Sequence, residues 1–286
     1  MRKLSGIFSL VAWALGFFIS VIPVSYGHTL VFGPELFHSE NGKMQRIRRS
    51  FSVQDTNQKF YISVQNGASN EKDLARGAVN INRKPVFPPA AIGKQSKMFV
   101  KRVTLQKQNE ISVDVSSDAT TPAIVTIISL EEQTKTVIIP QLGEAIDIEG
   151  YATVIFPAGS FDFPQKVTIY VTASPAMQDI FESHATGPRL PYEIRINTGN
   201  MLPKKDIEVS LNYPDSFFSS VFQIHVFAHM HDNPEAPGLH DRFFMLNSGL
   251  DDKVNMAMAT LPKHAFSNHH GRKGTYEAII TVGLIH

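Results

Sequence analysis

Between Gly150 and Thr172 the chain alternates, breaks and alternates again. Ala152, Val154 and Phe156 occupy every second position, Pro157-Ala158-Gly159 interrupts, and Val167, Ile169 and Val171 resume the period. A period of two buries one face of a strand, so this stretch predicts strand, turn, strand, with the Pro-Ala-Gly bend letting the second strand leave the first. The same pattern recurs on both sides. Upstream it predicts strands at Gln45 to Val53, Phe60 to Val64 and Ala78 to Ile81, then Phe99 to Leu105 paired with Ile111 to Val115 across Gln108-Asn109-Glu110, and finally Ile124 to Leu130 and Thr136 to Ile139. Asn66-Gly67 reads as a tight turn, because both residues tolerate positive φ. Pro85 and Pro88-Pro89 are expected to stop any ladder beyond the third strand.

Downstream, strands are expected at Tyr192 to Ile196, Ile207 to Leu211 and Phe222 to His229, with Arg242 to Leu246 and Val254 to Thr260 as a pair and Thr275 to Leu284 closing the chain. One short helix is expected within Ser174 to Pro188, where Met177, Ile180 and Phe181 share a face. Many short strands with turn signals between them argue for sandwiches. The acidic stretch Gly143 to Gly150 reads as the linker between two modules. The predicted fold class is therefore all-β: two consecutive antiparallel β-sandwich domains, residues 28–141 and 142–286, after a cleaved signal peptide, residues 1–27.

The signal peptide follows from the first residues. Arg2 and Lys3 precede a nearly uncharged apolar run from Leu4 to Val24, and Ser25-Tyr26-Gly27 places small residues where signal peptidase reads, making His28 the mature N-terminus. The competing reading is an uncleaved anchor, since the run approaches the ~20 residues that span a bilayer. No other stretch is long and apolar enough, so no membrane span is expected after cleavage. The expected location is secreted or periplasmic. The absence of cysteine excludes a disulfide framework, a thiol nucleophile and thiolate metal sites. Removing the two basic residues of the signal leaves 25 against 26 acidic ones, a balance that does not call for nucleic acid.

Two resemblances sharpen the fold class. The order GPE (Gly33 to Glu35), FYISVQNG (Phe60 to Gly67), AVNINRKPVF (Ala78 to Phe87) and VTLQKQNEISVDV (Val103 to Val115) resembles an Ig-like module of bacterial secreted and surface proteins, whose pattern runs GPE, Y-x-L-x-V-x-N-G, A-x-V-x-I-N-G and N-x-L-x-V-x-V. Arg83 stands where that pattern has Gly. FPAGSF, with Phe156 and Phe161 at its apolar positions, resembles the I-P-P-G-A-L signature of ZU5-type domains, and the closing stretch from Leu261 to Ile280 is similar to the terminal hairpin of such bacterial proteins, L-P-x-x-A-F leading to G-x-Y-x-A-I. These resemblances imply an accessory or scaffolding role and bring no catalytic residues with them.

Histidine supplies the one candidate chemistry. His225, His229, His231 and His240 lie within one stretch, and a strand running through His231 places the first three on one face, with Asp232 or His240 as a further ligand. His-x-His on a strand suits zinc or copper, but Asp232 follows His231 directly, which departs from the H-x-H-x-D-H pattern of metallo-hydrolases, and no second motif supplies a remaining ligand. Some ZU5 proteins cleave themselves at H-F-S; here Ala265 separates His264 from Phe266-Ser267, so the imidazole is displaced. Ser160 lies in a turn without a base, Asp162 and Asp251-Asp252 are isolated, and Asp114 and Asp118 lack the spacing of a calcium loop. The basic run Gln45 to Arg49 reads as a solvated edge rather than a glycan or lipid site. The reading is an exported, non-catalytic structural or binding module (adhesion or scaffold) of the cell envelope, with a protein or glycan partner and no catalytic, cofactor or metal residue assigned. The alternatives are an envelope metal-binding protein using the His225–His240 cluster and an enzyme of unknown type.

Overall fold

The computed structural model describes residues 28–38, 43–66, 78–88, 98–115, 123–173, 190–213, 223–232, 240–251, 255–267 and 275–285. Residues 1–27, expected to be a signal peptide, Gly67, the helix expected within Ser174 to Pro188, and Asp118, Asp252, His269 and His270 lie outside these residues. What is described is almost wholly strand, arranged in four antiparallel sheets.

The first two sheets are built from β1 (His28–Phe37), β2 (Gln45–Ser52), β3 (Phe60–Asn66), β4 (Val79–Ile81), β5 (Lys84–Phe87), β6 (Met98–Val103), β7 (Gln108–Val115) and β8 (Ala123–Leu130). One has the order β1-β8-β3-β6 and the other β2-β7-β4-β5. Their facing sides enclose a core in which Phe60, Ile62 and Val64 of β3 meet Val125 and Ile127 of β8 and Ile111 and Val113 of β7. Side chains of this size contribute roughly 1.5–3 kcal/mol each when fully buried.

Two expectations change here. The stretches around Phe99 and Ile111 follow each other but do not pair: β6 joins β3 and β7 joins β2 and β4, in opposite sheets. The crossing is held by Asn109, buried near the start of β7, whose side chain donates to Gln106 O (2.6 Å) and accepts from Gln106 N–H (2.9 Å). Pro85 does not end the ladder, since it lies inside β5; β5 is the sheet edge, where a missing N–H costs nothing. The β4–β5 turn is Asn82-Arg83, with φ of 50° and 65°, so Arg83 adopts the left-handed backbone that glycine would take for free.

The remaining strands are β9 (Gln133–Ile139), β10 (Glu144–Ile148), β11 (Ala152–Phe156), β12 (Gln165–Ala173), β13 (Tyr192–Gly199), β14 (Ile207–Asn212), β15 (Gln223–Asp232), β16 (His240–Met245), β17 (Ser248–Asp251), β18 (Met256–Leu261) and β19 (Tyr276–Ile285). They form the sheets β10-β11-β14-β18-β17 and β16-β15-β19-β13-β12-β9. Val154, Val209 and Leu261 of the first face Ile169, Ile196, Val226 and Ile280 of the second. The opening stretch behaves as its pattern predicts: β11 and β12 lie in different sheets, and the bend between them stacks Phe156 and Phe161 with ring centroids 5.7 Å apart.

Thr136 to Ile139 belongs to this second pair of sheets, because β9 pairs along its whole length with β12. The sheets therefore change over at Glu131-Glu132. Gly143 to Gly150 is not a bare linker: Ile146 and Ile148 alternate into the core and make β10 a hairpin partner of β11. Arg242 to Leu246 and Val254 to Thr260 are not partners either. β16 pairs with β15, while β17 intervenes and takes β18. The closing segment crosses between sheets, with a 3-10 turn at Lys263–Ala265 and a single bridge from Ser267 to Glu277.

Candidate functional site

The strand β15 carries three of the four histidines singled out by the sequence, and His240 opens β16. Its even positions, Ile224, Val226, Ala228 and Met230, enter the core between the two larger sheets. His225, Phe227 and His229 therefore share the opposite face, as alternation requires. That face is not open water. Phe227 packs with Phe243, Ile279 and Met98, so the six-stranded sheet rests there on β6 of the first sandwich.

His229 meets the Phe243 ring edge-on, with centroids 5.1 Å apart. Burial holds the pKa of His225 below the usual histidine value, against a smaller opposing pull from the Leu246 carbonyl. At ~3.3 Å of rise per residue, positions 225 and 229 are about 13 Å apart along the strand, too far to share one ion. Asp232 and His240 are opposite each other in the β15–β16 register. The side chains of His231, Asp232 and His240 lie outside the described residues. Among the described residues no group of three or more His, Asp or Glu side chains is placed to hold a metal.

A histidine with a different use lies where the two sandwiches meet. His28 opens β1 opposite Leu130 and is 1% exposed, with its ring centroid 4.7 Å from Tyr192 and 5.6 Å from Tyr151. Tyr151 and Tyr192 meet edge to face at 5.6 Å. Burial lowers the His28 pKa to about 4 and raises the phenols, Tyr192 well above its ordinary value. Tyr151 anchors the junction between the two sandwiches: its hydroxyl accepts from Glu131 N–H (3.0 Å) and donates to Glu131 O (2.6 Å). This trio was not visible in the sequence, where His28 is merely the residue that follows the expected signal peptide. The available signal is that an aromatic ring begins the first apolar strand.

A buried charge set accompanies it. Glu193 is almost wholly buried and pairs with Arg195, which also reaches Glu277 at 3.4 Å. Glu193 and Arg195 of the segment YEIRI share the face opposite Tyr192, Ile194 and Ile196, and Glu193 is enclosed there, its desolvation offset by the guanidinium.

The other candidates resolve into structural roles. Arg46 forks onto Asp114 at 2.6 and 2.9 Å, Arg48 lies 3.8 Å from Glu110, and Arg49 pairs with Glu35, so the basic run decorates an edge strand with partnered charges. Ser160 Oγ donates to Pro157 O at 2.6 Å, closing the turn. Asp162 pairs with Lys204. Phe266 is buried in the second core, beside the 3-10 turn that holds His264. No protein-family model matches this chain, and no curated protein matches it. Among the described residues no helix is long and apolar enough to cross a membrane.

Proposed function

We propose that the protein is an exported, non-catalytic structural or binding component of the cell envelope, working through loops held on rigid sandwiches. One observation carries this reading. At the end of the second sandwich remote from the tyrosine trio, turns stitched together by hydrogen bonds, with the end of β9 beside them, hold apolar side chains out in solvent: Leu142 is 86% exposed, Phe163 68%, Ile138 66% and Leu202 44%. Exposed apolar groups on a fixed frame are characteristic of a contact surface, and loops on a scaffold are where binding is commonly carried. The apolar N-terminal run supplies the address.

The test is fractionation of cells producing the full chain with a C-terminal tag, followed by sequencing of the mature N-terminus. Recovery outside the cytoplasm with His28 first is the expected result; an intact leader in the cytoplasm overturns the reading. The metal-binding alternative is decided on the same preparation by zinc titration beside a His229→Ala, His231→Ala variant. Stoichiometric binding abolished by the two substitutions would replace the present reading.

A further inference from the structure

The outer face of the six-stranded sheet is covered on one side and open on the other. On β19, Ile279 packs there against Met98 of β6, and on β13 Glu193 is enclosed. From Arg195 outward, across β12 to the edge strand β9, the face meets solvent. Val167, Ile169 and Val171 of β12 enter the core, so Thr168 and Tyr170 stand on this outer face. The register sets Tyr170 between Arg195 and Thr134, and Thr168 between Asn197 and Thr136. The first sandwich bounds this shelf: Lys59, just before β3, pairs with Glu132, which also accepts from Thr172 Oγ1 at 3.4 Å.

Two features distinguish the shelf from an ordinary polar strand face. The Arg195 guanidinium is held from both sides, by the buried carboxylate of Glu193 and by Glu277 at 3.4 Å. Such an enclosed pair adds little net stability, but it fixes a forked donor next to Tyr170 in the register. Thr136 and Thr168 also hold each other, with their hydroxyls 3.0 Å apart. These groups are offered to a ligand without the ordering cost that mobile side chains would impose.

The chemistry of the shelf selects its occupant. An amphipathic ring lies among hydroxyl, amide and guanidinium groups that donate and accept hydrogen bonds. A pyranose has the matching halves, an apolar face of C–H bonds and a rim of hydroxyls. Lys59, Lys166 and Arg195 are matched by Glu132, Glu193 and Glu277, so among the described residues the shelf has no excess of the positive charge that nucleic acids and anionic bilayers reward. Threonines rather than apolar side chains surround Tyr170, unlike the core of a protein interface. A sheet face also suits an extended ribbon of sugars better than a single one.

We propose that this shelf binds a neutral, extended glycan of β-1,4-linked pyranoses, with one ring stacked on Tyr170 and its hydroxyls bonded to Arg195 and the threonines. The inference rests on the reading of the protein as a binding module and names the partner class; export and sugar binding are measured separately, so either can fail alone. The test is isothermal titration of the purified protein with cellohexaose and with chitohexaose, beside Tyr170→Ala and Tyr170→Phe variants, with the thermal midpoint as a folding control. The wild type is expected to bind at least one hexasaccharide. Tyr170→Ala is expected to bind it roughly tenfold or more weakly at an unchanged midpoint, as loss of an aromatic anchor does, whereas Tyr170→Phe keeps the ring and binds as the wild type does. Binding of neither sugar, or binding that survives Tyr170→Ala, overturns the proposal. Equal loss in both variants also overturns it, because the ring would then not be the group that is recognised.

Discussion

The two ends of the second sandwich are built on opposite principles. At the end that meets the first sandwich, polar groups are buried: His28 between Tyr151 and Tyr192, and Glu193 against Arg195. At the far end, apolar groups are exposed: Leu142, Phe163, Ile138 and Leu202. Both departures run against the hydrophobic effect, yet they have different remedies. A buried polar group is stabilised by partners inside the fold, as Tyr151 is by Glu131. An exposed apolar group finds its remedy only outside the fold, in something that covers it.

The contrast can be broken most severely at Gly143, which lets the far-end turns approach one another. Its φ is +80°, and a Cβ there would lie 2.3 Å from Phe156 O and 2.7 Å from Ala158 N, both backbone atoms that cannot swing aside. Gly143→Ala is expected to cost about 3 kcal/mol or more, combining left-handed strain with a steric clash. Urea unfolding measures it, and a loss below about 1 kcal/mol would show that the turns are not rigidly backed.

The near end is sharpened by pH. The folded pKa of His28, about 4, lies below the ordinary 6.5, so between these values the unfolded chain binds more protons and stability falls as pH falls. From about pH 7 to about pH 5 this group alone removes about 2 kcal/mol. His225 shifts in the same direction and adds to the trend. His28→Phe keeps an aromatic ring among the tyrosines and is expected to remove the His28 share. Equal acid sensitivity in wild type and variant, read from urea midpoints at the two pH values, would place the titration elsewhere.

The unequal legibility of the two ends follows from what alternation encodes. It identified nearly every long strand: β11, β12 and β14 bury one face at period two, while β3 and β8, buried on both faces, stand out as near-continuous apolar, β-branched or aromatic runs. It also placed β11 and β12 on either side of a bend. It does not encode partners, so β6 with β7 and β16 with β18 read as pairs although the chain crosses between sheets there. It fails for short elements such as β10, where two isoleucines are too few to show a period. And it says that two faces of a strand differ without saying what covers the polar one, which is why the enclosure of Glu193 was unreadable. Leu142 in Gln-Leu-Gly and Phe163 in Asp-Phe-Pro carried a usable sign: an apolar residue inside a turn motif, where no core awaits it.

The first sandwich offers the control with the smallest effect. Its β4–β5 turn holds Arg83 at φ 65°, a strain that the far-end turns avoid by placing glycine at Gly143 and Gly159. Nothing at this position ties the left-handed conformation to a contact surface. The neighbouring Asn82 anchors the turn to β7, donating to Asn109 Oδ1 and accepting from Glu110 N–H, both at 2.9 Å. Arg83→Gly should therefore relieve about 1 kcal/mol of backbone strain, part of it offset by the greater freedom of glycine in the unfolded chain. A rise in the thermal midpoint is the expected result. A fall would mean that the arginine side chain contributes more to this hairpin than its backbone costs, and that strain is tolerated in the first sandwich for a reason the far end does not share.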